Sequence, residues 1–289
     1  CGIFALINYN SDKSKDQNIE YKKIETSFAK GKNRGPEFSV LEPHNNLLMG
    51  FHRLAINGLN SNSNQPLKLD NLVLICNGEI YNFKHLAREH NIIMNSDSDC
   101  EIILHMYKLY GIEYTLHLLD GVFAFILYDK DQDKIYGARD PYGVRPLFIF
   151  KENDLIGFSS EVKSLTKLVI VKKNIFNFFP ASYIVIDNKH RKNFNYFYNK
   201  YNCLPVTNKI YDALDDTLLY KSIVNNMYQS VYKRVIGTTE RPIACLLSGG
   251  LDSSLIACLV NEHLKNDRTR TDENKVLKTF SIGLKGSKI

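Results

Sequence analysis

Short apolar or alternating runs dominate the first two hundred residues of the chain, and most of them stop at Asn or Gly. Residues 3–7, 47–52 and 72–76 have this form and predict strands. Residues 122–128 and 134–139 flank the polar stretch DKDQD, the pattern of a β-hairpin. Residues 148–150 and 155–159 flank a second turn, at Glu152-Asn153-Asp154. Two stretches carry the helical period instead. One covers residues 21–29. The other follows Ser98, where Ile102, Ile103, Met106, Tyr107 and Tyr110 fall at helical spacing and Gly111 is placed to stop the helix. Ser98 and Glu101 have the spacing of a capping box. Strands in runs with few helices predict an α+β layered domain.

The pattern changes near Cys203. CLPVTNKIYDALDD has little periodicity, so residues 1–200 form one domain, 201–217 a linker and 218–289 the start of another. In the last part a helix is expected over 220–235, with Ile223, Val224, Met227, Val231 and Val235 on one side. An apolar strand (243–247), the turn SGG, a second helix burying Leu255, Ile256, Leu259, Val260 and Leu264, and a strand (276–282) follow. That order opens a parallel α/β domain.

Composition narrows the function classes. With 289 residues, 44% hydrophobic and 24% charged, the chain has the makeup of a globular protein of about two domains. Disorder, collagen-like repeats and a disulfide-stapled miniprotein are excluded. No apolar run reaches the roughly 18 residues a membrane helix needs, so no membrane partner is expected. The net charge of +6 comes from scattered lysines, which read as solvated surface rather than a nucleic-acid face. The six cysteines include no C-x-x-C pair, so no metal site is expected, and a reducing cytoplasm is the default compartment. The start, CGIFALINYN, lacks the form of a signal peptide.

Cys1 is the first candidate for chemistry. A terminal amine titrates near 7.7–8.0 and a free thiol near 8.5, so one residue supplies a base and a nucleophile. The plain alternative is routine removal of an initiator methionine before a small residue. Arg53, ending a strand in FHRLAIN, has the fork to hold a carboxylate. Asn77 and Gly78, read as ending the 72–76 strand, can offer a side-chain amide and a backbone N–H to an oxyanion. Glu79 and Asp99 can each pair with an ammonium. Taken singly, these are equally an ion-pair donor, a turn and a helix-dipole acid. Together they are a set for hydrolysing an amino-acid amide.

CGIFALI, FHRLAIN, NGEIYNF, SDCEIILHMY, LDGVFAFILYD, ARDPYGVRPLF and SSEVKSL resemble, in that order, the glutaminase domain of class II glutamine amidotransferases, and most of all the glutamine-hydrolysing asparagine synthetases. The resemblance spans nearly all of residues 1–200. It implies an N-terminal-nucleophile αββα sandwich that releases ammonia from L-glutamine. By motif position Cys1 attacks the side-chain amide, and Asn77 and Gly78 stabilise the oxyanion. Arg53 takes the α-carboxylate, with Leu54, Ala55, Ile56 and Asn57 beside it in the glutamine pocket, and Glu79 and Asp99 hold the ammonium. Arg139 and Asp140 are expected to pair with each other, while Pro141, Gly143 and Pro146 shape turns.

LLSGGLDSS, residues 246–254, is the second candidate. Two glycines between a strand and a helix let backbone N–H groups converge on an anion at a helix N-terminus, and Ser248, Ser253 and Ser254 add hydroxyls. It lacks the G-x-x-x-x-G-K-[ST] of a Walker loop. A bare glycine turn with Asp252 as N-cap is the plain alternative. The stretch resembles the pyrophosphate loop of ATP pyrophosphatases. That implies ATP with Mg²⁺ as a substrate complex, no tightly bound cofactor, and nucleotide contacts from Leu246, Ser248, Gly249, Gly250, Asp252, Ser253 and Ile282. The combined implication is asparagine synthesis: ammonia from glutamine attacks a β-aspartyl-AMP made from L-aspartate and ATP, in a chain able to form a homodimer. Alternatives are another class II amidotransferase, a glutaminase-only fragment, or a relative that binds without turnover. The last residue, Ile289, falls two strands into the second domain, so a piece of a longer protein is expected, able to hydrolyse glutamine but not to make asparagine.

Overall fold

Strands of the first unit read as nearly continuous apolar runs because both faces of each sheet are covered. The structure, a computed structural model, describes residues 1–9, 17–187, 199–201, 215–238 and 240–283. The chain forms two compact units, residues 1–203 and 204–289. In chain order the first contains β1 (Gly2–Ile7), α1 (Gln17–Ala29), β2 (Phe38–His44), β3 (Leu47–Arg53), β4 (Leu67–Leu69), β5 (Leu72–Ile80), α2 (Phe83–Glu89) and α3 (Ile102–Leu118). It continues with β6 (Gly121–Asp129), β7 (Lys134–Arg139), β8 (Phe148–Glu152), β9 (Leu155–Ser159), β10 (Ile175–Asn177), β11 (Ser182–Asp187) and β12 (Asn199–Lys200).

Two antiparallel six-stranded sheets result, ordered β10-β8-β9-β1-β3-β2 and β12-β11-β7-β6-β5-β4. Alternation divides each strand between two cores. Ile3, Ala5 and Ile7 of β1 meet Val73 and Ile75 of β5 and Ile126 of β6 between the sheets. Phe4 and Leu6 point out against Ile24 and Phe28 of α1. Leu74, Phe123 and Phe125 point out from the second sheet against Leu86 of α2 and Ile102, Ile103 and Met106 of α3. The layers are therefore αββα.

Several local expectations are corrected. Residues 77–80 continue β5, because pairing with β6 runs on through Asn77↔Ala124, Gly78↔Phe123 and Glu79↔Val122. Asn77 and Gly78 thus lie in a strand, not in a turn. Strand β2 carries Pro43, which hides it from a strand pattern, and it is tolerated because β2 is an edge strand. Gly111 does interrupt the helix as its spacing predicts, with non-helical φ 74° and ψ 177°, and a second helical stretch follows it to Leu118. No capping box forms, because α3 starts at Ile102, after a 3-10 turn at 99–101. Glu101 instead accepts from the backbone N–H groups of Asn95 and Ser96, both at 2.7 Å, and faces His105 at 3.0 Å. Nor does Arg139 bond Asp140. Its guanidinium donates to Arg145 O at 2.7 Å, Phe178 O at 2.6 Å and Gly143 O at 2.6 Å. The Asp140 carboxylate accepts from backbone N–H groups instead.

The second unit contains α4 (Asp216–Gly237), β13 (Ala244–Leu246), α5 (Leu251–Asn266) and β14 (Lys278–Phe280). The two strands pair in parallel, as the sequence order predicts. Val231 and Val235 of α4 pack on Val260 and Leu264 of α5. Ile223, Val224 and Met227 on α4, and Leu255 and Ile256 on α5, are exposed. The expectation that Leu255 and Ile256 are buried fails because the described strands and helices of this unit cover only one stripe of each helix. Most of the linker expected at 201–217 lies outside the described residues. Its end does not behave as linker, since Asp215 caps α4 by accepting from the Thr217 N–H at 2.9 Å.

Candidate active site

Three strand ends converge where chemistry was expected. The β1/β3 register pairs Gly2 with His52, which brings Cys1 opposite Arg53. Cys1 Sγ sits 3.3 Å from Leu54 O and 3.4 Å from Leu54 N, and Arg34 Nε donates to Cys1 O at 2.8 Å. A cavity of about 30 Å³ is bordered by Cys1, Arg53, Asn57, Gly78, Glu79 and Asp99. Leu54, Ala55 and Ile56 also reach it. A second cavity of about 390 Å³ meets Cys1 and is bordered by Arg34, Asn77, Gly78, Arg145 and Glu161.

The donors of β5 follow from strand parity. Cys76 N–H donates to Gln65 Oε1 at 2.6 Å and Ile80 N–H to Asp99 Oδ2 at 2.6 Å, so both face away from β6. Phe123, opposite Gly78, uses its own N–H and carbonyl toward Asp140. The Gly78 N–H therefore shares the open edge of β5 with those of Cys76 and Ile80. Only glycine fits there, since a Cβ would lie 2.5 Å from Val122 O and 2.8 Å from Phe123 Cα. Asn77 is 1% exposed, and its Nδ2 is buried with no hydrogen-bond partner among the described residues. A buried amide donor without an acceptor is costly to keep. It fits a ligand oxygen.

Burial, with help from Arg34 and Arg145, lowers the Cys1 α-amine to about 6. It is thus neutral at pH 7 and able to take a proton. Burial also raises the Asp99 carboxyl to about 6, against a hydrogen bond from Ile80 N–H and in step with the nearby Glu79 charge. An ammonium beside Asp99 would relieve that penalty. Glu79 meets Arg145 at 2.9 Å. Arg53 is buried and donates to Asn60 O at 3.0 Å, Asn64 Oδ1 at 2.7 Å and Gly58 O. It therefore also fixes the loop after β3, besides bordering the cavity. Ala55 N–H donates to Glu37 Oε2 at 3.0 Å, and Asn57 bonds Asp99.

Asp99 gives a signed prediction. Its folded-state carboxyl binds a proton more tightly than the unfolded one, so it contributes stability that is lost as pH rises from about 4 to about 6. Ammonium binding runs the other way and strengthens across the same window. With glutamine as the substrate that the sequence resemblance implies, KM should fall as pH rises through about 6. Asp99→Asn should raise KM by roughly 30-fold or more and flatten that dependence, since removing one partner of a buried charge pair costs about 2–5 kcal/mol. Steady-state kinetics between pH 5 and 8 checks both.

Sequence reasoning missed Arg34, Gln65 and Arg145. Arg145 lies inside ARDPYGVRPLF, read as architectural, and nothing local marks Gln65 or Arg34.

In the second unit Gly249 adopts φ +85° and Gly250 caps α5, with Asp252 inside the first turn rather than at the N-cap. Ser248 Oγ and Ser253 Oγ are 2.9 Å apart, and Ser254 Oγ donates to Gly250 O at 2.8 Å. Leu246 and Ile282 are both exposed, Leu246 on β13 and Ile282 just past β14, which pairs with it. Among the described residues no group of three or more His, Cys, Asp or Glu side chains is arranged to hold a metal, and no helix is long and apolar enough to cross a membrane.

Residues 1–217 match the glutamine amidotransferase domain family. The chain belongs to that family. Residues 223–288 match the asparagine synthase family. The chain is 36% identical over 306 residues to a probable glutamine-hydrolysing asparagine synthetase of Acanthamoeba polyphaga mimivirus, covering 99% of this chain and 52% of that protein. It is 35% identical over 311 residues to the glutamine-hydrolysing asparagine synthetase of Homo sapiens, with the same coverage. The chain thus spans about half the length of the curated relatives it matches. Its fold is like that of a Bacillus subtilis glutamine phosphoribosylpyrophosphate amidotransferase (20% identity, TM-score 0.53, 70% of this chain and 49% of that one). A structure described as the allosteric regulatory enzyme of purine biosynthesis is similar at 18% identity and TM-score 0.55, with the same coverage.

Proposed function

We propose that this chain hydrolyses glutamine at Cys1 and, as part of an asparagine synthetase, delivers the ammonia to a β-aspartyl adenylate. The observation that carries the first step is the orphaned Asn77 Nδ2 beside the Gly78 N–H, in a site bordered by Cys1. The α-amine takes the thiol proton as Sγ attacks the side-chain carbonyl carbon of glutamine, and the carbonyl oxygen gathers negative charge against Asn77 Nδ2 and Gly78 N–H. The ammonium form of the Cys1 amine then protonates the departing nitrogen, and ammonia leaves a thioester. Water, deprotonated by the same amine, splits that thioester to glutamate and the thiol. Arg53 serves the α-carboxylate of the substrate, with Leu54, Ala55, Ile56 and Asn57 around it, and Asp99 and Glu79 serve its ammonium.

The synthetase step rests on the match of residues 223–288 and on the names of the relatives. Ser248, Gly249, Gly250, Asp252 and Ser253 would hold the phosphates of ATP, which arrives with Mg²⁺, and Leu246 and Ile282 would border the nucleotide. Aspartate and ATP would give β-aspartyl-AMP and pyrophosphate, and ammonia would then yield asparagine and AMP. A cytoplasmic setting and a homodimer belong to the same reading.

A glutamine analogue bearing an electrophile at the amide carbon tests the first step. It should label Cys1, found by peptide mass spectrometry at one label per chain, and glutamine should protect. The chain should release ammonia and glutamate from glutamine in equal amounts. Labelling spread over other cysteines, with Cys1 unmodified, would contradict the assignment.

A further inference from the structure

Resting on the reading of Cys1 as the glutamine-hydrolysing nucleophile, we propose that Arg145 is a positioning residue of that site, fixing the Glu79 carboxylate and setting the charge around the Cys1 α-amine. Arg145 Nη2 lies 2.9 Å from Glu79 Oε1, with both side chains largely buried. Glu79 borders the smaller cavity and Arg145 the larger, and Cys1 borders both. The ion pair therefore joins the walls of the two spaces that meet at the nucleophile. Without it, the Glu79 charge would stand uncompensated close to Asp99, whose ionisation it already opposes.

The loop carrying Arg145 is built to hold it. Asp140 is fully buried, and its carboxylate accepts from the N–H groups of Tyr142 at 3.1 Å, Val144 at 2.9 Å and Arg145 at 3.1 Å. Arg139 bonds the Arg145 carbonyl at 2.7 Å from the other side. The backbone of Arg145 is thus fixed through both of its polar groups. Its Nε is buried without a partner among the described residues, so the side chain is not placed by bonds to its own loop.

The charged and titratable groups facing the Cys1 amine come from each surrounding element. Arg34 and Arg145 disfavour its protonated form, and Glu79 and Cys100 favour it. His52, on the paired strand β3, senses the same charge. Of the two arginines, Arg34 is tied to the Cys1 carbonyl, whereas Arg145 is tied to the acid that holds substrate. Arg145 thereby links substrate orientation to the protonation state of the base.

Glutamine hydrolysis by the full chain and its Arg145→Gln, Arg145→Lys and Glu79→Gln variants, followed from pH 5 to 9, tests this. In Arg145→Gln the ascending limb of kcat/KM should move to higher pH and KM should rise about 10-fold, with kcat on the plateau within about twofold. Arg145→Lys should restore the limb. Glu79→Gln should move it to lower pH while KM rises. Opposite displacements are the mark of charge, which a packing role would not produce. The inference is overturned if Arg145→Gln keeps the parental limb and KM, or if both Arg145 variants lose kcat equally at every pH. Should the parent chain hydrolyse no glutamine, the glutaminase reading fails and takes this inference with it.

Discussion

Cys1→Ala is expected to lower glutamine hydrolysis by about four to six orders of magnitude, the scale seen when a covalent nucleophile is removed. The substitution leaves the α-amine, the Asn77 and Gly78 donors and the ammonium-binding acids in place. Glutamine binding should therefore survive, and a titration by calorimetry should give a Kd within a few-fold of the parental KM. Stability should change little, because among the described residues the Cys1 thiol hydrogen-bonds only the Leu54 backbone and its side chain is only partly buried against the core between the sheets. An alanine variant turning over at the parental rate would remove the basis for every catalytic role assigned here. A variant that neither binds nor melts like the parent would point to a structural terminus instead.

Asn77→Ala should cost the second largest factor, about 10²–10³ in kcat, or about 2.7–4 kcal/mol, with KM little altered. The loss falls on kcat because charge on the carbonyl oxygen develops only as Sγ attacks. What separates this role from packing is the melting temperature. Asn77 Nδ2 has no partner among the described residues, so its removal takes away an unsatisfied buried donor. Stability should hold or rise while activity collapses. Asn77→Asp should be at least as inactive, since it puts a carboxylate where negative charge develops. Thermal melts beside stopped assays of glutamate release read both quantities, and a parallel fall in stability and kcat would argue for a structural amide.

Much of the site was legible because its residue types are unusual where they stand: a first-position cysteine, an arginine at a strand end, an Asn-Gly step before an acid. Strand periodicity located β1, β3 and most of β5, and the paired runs around DKDQD located β6 and β7. Periodicity failed where burial depends on what lies opposite. Ile223, Val224 and Met227 have helical spacing yet face solvent, since α5 and two strands cover only the Val231–Val235 side of α4. Apolar spacing proposes a face but does not supply its cover.

By itself the sequence determined which reactive groups are available, because thiol, amine, amide and carboxylate are properties of residues. Tertiary structure alone decided how those groups behave. The direction of the Gly78 N–H depends on which strand pairs with β5 and in what register. The shifted acidities of Asp99 and the Cys1 amine arise from burial. The Glu79–Arg145 pair joins residues 66 apart in the chain. Hydrogen-bond direction, desolvation and Coulomb attraction act through space, and a linear pattern carries distance only along the chain.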